Sequence, residues 1–217
     1  MKVSLGIRAA VREGKELHDQ WIGGGDSIDP CPRAIKFRVR KEIRQVQEEY
    51  DKQLAAQKES GSYPTHIPDG LTLFFSPVVP VDGDELHVKW TIQVHKSKVP
   101  DSNWSNCQFT FDAMFKEGQY PACAPKVTCK TPILHPNICP SGLVDHVMLS
   151  GGWRPNITLL DIVTGIFWLF LDPNFNDPLP ECQEASVLGL TEKAEFRRRS
   201  LAHAQQHKTF IPGTEEH

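Results

Sequence analysis

Between Leu86 and Val94 every second residue is apolar: Leu86, Val88, Trp90, Ile92 and Val94 alternate with His87, Lys89, Thr91 and Gln93. A period of two puts all five apolar side chains on one face of an extended strand and the polar ones on the other. Cys107, Phe109, Phe111 and Ala113 repeat the pattern, and Val127 and Cys129 repeat it more briefly. A polar outer face is the mark of antiparallel strands; parallel strands, covered on both sides, read as continuous apolar runs. Leu71 to Phe75 adds a short apolar run ahead of these. The spacing therefore predicts a meander of about four antiparallel strands.

Helical periods flank the meander. From Arg33 to Gln57, Ile35, Val39, Ile43, Val46, Tyr50 and Leu54 recur every three to four residues with charges between them. Lys58 to Gly70 holds two prolines and two glycines and reads as a loop. Pro132 to Pro155, with four prolines and three glycines, has no sustained period. An irregular segment of that length inside a domain is functional or disordered. Thr158-x-x-Asp161 predicts a capping box for a helix through Leu171. That helix is apolar on almost all sides (Ile162, Val163, Ile166, Phe167, Trp168, Phe170), which predicts a buried central helix stopped by Pro173. Glu181 to about His207 reads as one or two terminal helices. A run of strands followed by helices indicates an α+β fold, with helices on one face of an antiparallel sheet.

The ends read differently. Residues 1–22 carry Val3, Leu5, Ile7, Val11 and Leu17 at loosely helical spacing and read as a detachable arm. Gly23, Gly24, Gly25, Pro30 and Pro32 make 23–32 a linker. The core domain is then 33–207 and the tail 208–217. A net charge of −3 gives no reason to expect a nucleic-acid or membrane partner. Arg197–Arg198–Arg199 is the one dense basic cluster and reads as a solvated helix face. The six cysteines, at 31, 107, 123, 129, 139 and 182, contain no Cys-x-x-Cys spacing. No metal site and no cofactor is expected from them. No apolar stretch approaches the ~20 residues that span a bilayer, and none resembles a signal-peptide core. The expectation is a cytoplasmic or nuclear chain with free thiols.

Four short motifs fall on the turns of this layout. Tyr120-Pro121-Ala122-Cys123-Ala124-Pro125 lies between the third and fourth strands, and His135-Pro136-Asn137 follows the fourth. Trp153-Arg154-Pro155 precedes the central helix, and Asp172-Pro173-Asn174-Phe175-Asn176-Asp177-Pro178-Leu179 follows it. In this order and spacing they resemble the ubiquitin-conjugating enzymes over roughly residues 33–207. Lys126–Cys129, Leu169–Asn174 and Glu184–Leu188 are most similar to the neddylation-conjugating branch, whereas Ile138–Gly142 looks more like the sumoylation branch. The resemblance implies an acyl carrier: a thiolate takes a modifier's C-terminal acyl group from an activating enzyme, and a lysine amine then attacks it. It assigns oxyanion stabilisation or loop support to Asn137, orientation of the lysine to Asp177, and a structural role to His135. It further implies ubiquitin or a ubiquitin-like modifier, an activating enzyme, and a RING-type ligase or a second, catalytic conjugating enzyme as partners. Arg38, Arg44, Tyr120 and Arg154 occupy the regions that meet a ligase in the family.

The family's cysteine stands eight residues after the asparagine and eight before the tryptophan. Here that position is Asp145, with Asn137 and Trp153 at the expected distances on either side. A carboxylate that attacked a thioester would give a mixed anhydride, which lies several kcal/mol higher; each ~1.4 kcal/mol is a factor of ten. The flanks, Leu143-Val144 and His146-Val147-Met148-Leu149, have also moved from the family's usual residues. The first expectation is therefore a non-catalytic binding module that keeps the fold. The second is an active conjugating enzyme for a Nedd-type modifier using Cys139, two residues after Asn137. A third is a scaffold acting through its arm and terminal helices. Cys107, Cys123, Cys129 and Cys182 read as core or turn residues, and the adjacent Asp145 and His146 do not read as a dyad.

Overall fold

The structure is a computed structural model in which residues 32–60, 76–94 and 102–207 are described. The chain divides into two units, Met1–Cys31 and Pro32–His217. The arm, most of the linker, Leu71–Phe75 and the tail lie outside the described residues.

Helix α1, Pro32–Ser60, turns Ile35, Val39, Glu42 and Val46 into the interior, each at most 3% exposed. It runs three residues beyond the expected Gln57. Strand β1, Val79–Val81, joins β2, Asp84–Val94, through an Asp82–Gly83 turn. Both turn residues have positive φ (50° and 79°), the geometry in which Asp-Gly closes a two-residue hairpin. Pro80 sits in β1, which is tolerable because β1 is the edge of the sheet. β3, Cys107–Met114, and β4, Lys126–Cys129, complete an antiparallel sheet in the order β1-β2-β3-β4. The α+β class expected from the sequence is the one observed.

The β2–β3 register sets Trp90 against Phe111, Ile92 against Phe109 and Val88 against Ala113. Their inner faces form the floor of the core, on which helix α2, Leu159–Leu171, lies. Phe170 stacks on Phe109 with ring centroids 5.0 Å apart and meets Phe111 edge-on. Removing a ring so enclosed costs about 3–5 kcal/mol. The capping box forms: Thr158 Oγ1 accepts from Asp161 N–H, and Thr158 N–H donates to Asp161 Oδ2 at 2.7 Å. Trp168 departs from expectation: it is 41% exposed, so α2 has one open side. A 3₁₀ turn, Pro180–Cys182, leads into α3, Gln183–Thr191, and α4, Lys193–Gln206.

Candidate functional site

The irregular segment 132–155 is organised by backbone hydrogen bonds. Asn137 to Asp145 folds back on itself: Asp145 N–H donates to Asn137 O (2.8 Å) and Cys139 N–H to Leu143 O (2.9 Å). Gly142 closes the bend at φ 85° and sits against β4, with Cys129 N–H donating to Gly142 O at 2.8 Å. A Cβ at Gly142 would stand 2.4 Å from Cys129 O, so the close approach needs glycine there. A 3₁₀ turn, Val147–Leu149, follows, capped by His146 Nδ1 accepting from Met148 N–H at 3.1 Å. Met148 and His146 lie over Gly165 of α2, where a Cβ would meet the Met148 methyl.

His135 and Asn137 hold this loop from below. His135 is 2% exposed and stacks on Trp104 at 4.2 Å. Its Nδ1 accepts from Asn137 N–H at 2.9 Å, so the ring proton is on Nε2 and is donated to Leu169 O at 3.1 Å. Burial lowers its pKa to about 3 against the Leu169 carbonyl's opposing pull, which keeps it neutral and unsuited to accept a proton near pH 7. The Asn137 side chain makes a two-way clasp with Asn174: Nδ2 donates to Asn174 O and Oδ1 accepts from Asn174 N–H, both 2.9 Å. The amide thereby ties the loop to the segment after α2. Asp177, at φ 54°, is exposed in that same segment.

Asp145 is half-buried, with its backbone fixed to Asn137. Its charge reaches two thiols: burial first pushes Cys139 up, with Cys182 opposing and Glu181 and Asp145 adding, and burial first, then Cys139, Asp145 and Glu181, push Cys182 up. Cys139 is 1% exposed. The Cys139 expected as a candidate nucleophile is thus an interior thiol, because the bend turns its side chain away from solvent. Ser141 Oγ donates to Glu181 Oε2 at 2.6 Å, a tie between the bend and the 180–182 turn. Burial lowers the His146 pKa, with Asp145 opposing. Among the described cysteines Cys123 alone is exposed. The described residues contain no group of three or more His, Cys, Asp or Glu placed to hold a metal.

The four residues expected to face a partner separate into two kinds. Arg44 and Arg154 are exposed. Tyr120 is 1% exposed, against expectation, and both oxygens of Glu42 lie 2.8 Å from its hydroxyl. Burial first, then the Glu42 carboxylate, push that phenol far above its ordinary range, so it stays a donor. Arg38 donates to Glu42 Oε1 at 2.7 Å and to Pro155 O, and its guanidinium lies 5.0 Å from the Tyr120 ring centroid. Glu42 also accepts from Leu159 N–H, the first residue of α2, at 3.1 Å. This buried carboxylate joins α1, the Tyr-Pro turn and α2. Sequence reasoning passed over it; the one signal was an acid within the apolar stripe 35, 39, 46.

The ubiquitin-conjugating enzyme family model matches residues 74–203, more than half of the chain. The "Probable NEDD8-conjugating enzyme Ubc12-like" protein of Arabidopsis thaliana is 36% identical over 118 residues, covering 52% of this chain and 62% of the relative. The NEDD8-conjugating enzyme Ubc12 of the same plant is 34% identical over 116 residues, covering 53% and 62%. The chain thus spans less than two thirds of the length of these curated relatives. No helix among the described residues is long and apolar enough to cross a membrane. With an α1–meander–α2 frame and an irregular loop clasped between β4 and α2, these matches put the chain in the ubiquitin-conjugating enzyme family, close to its neddylation branch.

Proposed function

We propose that this protein is a non-catalytic member of its family: it binds a ubiquitin-like modifier, a catalytic conjugating enzyme or a ligase of a neddylation-type pathway, in the cytoplasm or nucleus, and carries no thioester. The observation behind this reading is Asp145. It occupies the position where the resemblance expects the thiol, with its backbone hydrogen-bonded to Asn137 and the loop around it intact. A carboxylate there gives an anhydride in place of a thioester, and the anhydride is too high in energy to accumulate.

The rival reading, a nucleophile moved to Cys139, has less support. A reactive thiol needs exposure and a neighbour that favours the thiolate. Cys139 is buried, and burial, with the anionic Glu181 and Asp145 adding, pushes its thiol up despite the opposing pull of Cys182. The exposed Arg44 and Arg154 remain candidates for partner contact, whereas Arg38 and Tyr120 spend their polar groups on Glu42. The test is charging of the full chain with activating enzyme, ATP and modifier, run for ubiquitin and for several ubiquitin-like proteins. The expected result is no reductant-sensitive adduct together with measurable non-covalent binding to a modifier, ligase or conjugating enzyme. A reductant-sensitive adduct would sink the proposal, and its loss in Cys139→Ser would assign the chemistry to Cys139.

A further inference from the structure

The end of helix α4 carries two histidines one turn apart, His203 and, at the C-cap, His207. Residues four apart stand one above the other on a helix face. The turn between them is closed: His207 N–H donates to His203 O at 3.1 Å, so the backbone fixes how the rings meet. The ring centroids are 4.5 Å apart and the planes are tilted by 43°. Phe196, Ser200 and Ala204 form the buried stripe of α4, and the two rings flank its end. His207 is exposed, whereas His203 Nδ1 is buried with no hydrogen-bond partner among the described residues. A buried polar atom left unpaired is the exception in a folded chain and asks for a ligand or a water. Burial, and then the nearness of His207, lower the pKa of His203. The ring is therefore neutral near pH 7 and keeps a lone pair. The nearest arginines of the helix are engaged elsewhere, Arg198 with Glu195 at 2.6 Å and Arg199 with Glu184 at 2.7 Å.

We propose that His203 and His207 chelate one divalent cation of the zinc, nickel and copper(II) class, each through one ring nitrogen, with water in the remaining positions. Two histidines at this spacing on one helix face are the arrangement that holds zinc in helical metal sites. Imidazole selects these metals, whereas magnesium and calcium require oxygen ligands, of which the pair offers none. The described residues hold no group of three or more His, Cys, Asp or Glu that could close a full cage. The site is accordingly open, with positions left for exchangeable ligands, and unlike a closed structural centre. Bound metal would join the last turn of α4 across its two rings. The proposal uses neither Asp145 nor its loop, so the charging assay and the present test can fail separately.

The experiment titrates the full chain with zinc chloride in a non-coordinating buffer, with magnesium chloride as the control, and follows the histidine ring signals by NMR. The chain has nine histidines, so the assignment of the ring signals decides the matter. The expected result is one saturable zinc site whose first equivalent shifts His203 and His207 ahead of every other ring, and no response to magnesium. His203→Gln and His207→Gln should each weaken that site by about tenfold or more, because a single imidazole loses the second, intramolecular bond. A third variant joins His207→Gln with Gln205→His. It keeps nine histidines but sets the second ring two residues from the first, where the side chains do not face each other, and it should bind as weakly as His207→Gln. His207 and Gln205 are exposed, so unchanged urea midpoints without metal will show that these variants are folded. Zinc that shifts other rings first, a first site kept by the relocated variant, equal response to magnesium, or no saturable site would overturn the proposal. So would sedimentation showing that the first zinc is shared between two copies of the chain.

Discussion

Glu42→Ala is expected to destabilise the domain more than any single surface change. The carboxylate serves three donors: Arg38 Nε at 2.7 Å, the Tyr120 hydroxyl at 2.8 Å and the Leu159 N–H at 3.1 Å. Alanine leaves the Tyr120 and Leu159 donors buried without an acceptor, at about 1–3 kcal/mol each. Arg38 is half-exposed and can turn to water, so its share is smaller. The sum is about 3–5 kcal/mol, the usual cost of removing one partner from a buried charged cluster. For a domain of this size that is about 10 °C in melting temperature. Glu42→Gln keeps the volume and one acceptor and should cost about 1–2 kcal/mol, while Tyr120→Phe, which removes one donor and leaves the rest, should cost about 1 kcal/mol. Urea unfolding of the full chain, with midpoint and slope fitted separately, gives all three values. Glu42→Ala within about 1 kcal/mol of wild type, or Tyr120→Phe more damaging than Glu42→Ala, would refute the claim that this carboxylate joins the three elements.

Three further outcomes are expected. His135 is held neutral by burial, with its pKa lowered from 6.5 to about 3; the unfolded chain binds the proton that the native state refuses. Stability is therefore full above about pH 6.5 and falls by about 1.4 kcal/mol per unit as pH drops towards the folded value. His146 and His203, also lowered by burial, add in the same direction. Urea midpoints compared between about pH 6.5 and 5.5 should thus show a shallower slope in His135→Gln than in wild type, and parallel slopes would contradict the assignment. Iodoacetamide on the native protein should modify Cys123 ahead of Cys107, Cys129, Cys139 and Cys182, because it is the exposed thiol among them; peptide mapping that found Cys139 labelled first would reopen its candidacy as a nucleophile. Asp145→Cys should gain a reductant-sensitive adduct absent from wild type, since the loop that fixes position 145 is built from backbone hydrogen bonds; an uncharged variant that is folded would mean the surroundings, and not one side chain, have lost the chemistry.

The elements that were legible in the sequence are those whose signal is local. Val88, Trp90, Ile92 and Val94 are each at most 1% exposed, as strict alternation requires when one face is covered. Thr158 and Asp161 sit three residues apart, and their capping box forms as expected. The edge strand escaped notice because Val79–Val81 is three residues long with a proline in the middle, too short to show a period. Its one cue was Asp82–Gly83. Burial of single side chains in irregular segments was not legible. Tyr120 sits in a turn-rich motif that reads as surface, yet it is fixed by a partner 78 residues away. Glu42 and Leu159 are 117 residues apart. Cys139 is 1% exposed and lies beside Cys182, 43 residues on in the turn after α2, a neighbour that no local pattern reveals.

Position 145 itself shows how far fold and chemistry are separable here. Within the bend the closing hydrogen bonds run through main-chain atoms: Asp145 to Asn137, Cys139 to Leu143 and Gly142 to Cys139, with Cys129 to Gly142 joining it to β4. Side chains anchor the bend to its surroundings, through His135, the Asn137–Asn174 clasp and the Ser141–Glu181 bond. None of them needs a sulfur at 145. A half-buried carboxylate is accommodated there because it retains access to water; a fully buried one would need a charged partner. The loop's path therefore does not depend on a sulfur at that point, and Asp145→Cys, Asp145→Ser and Asp145→Asn should stay within about 0.5 kcal/mol of wild type in stability. If acyl transfer rests on the side chain at 145 alone, the charging assays on wild type and Asp145→Cys will differ while the fold is held constant; equal results in both would place the difference elsewhere.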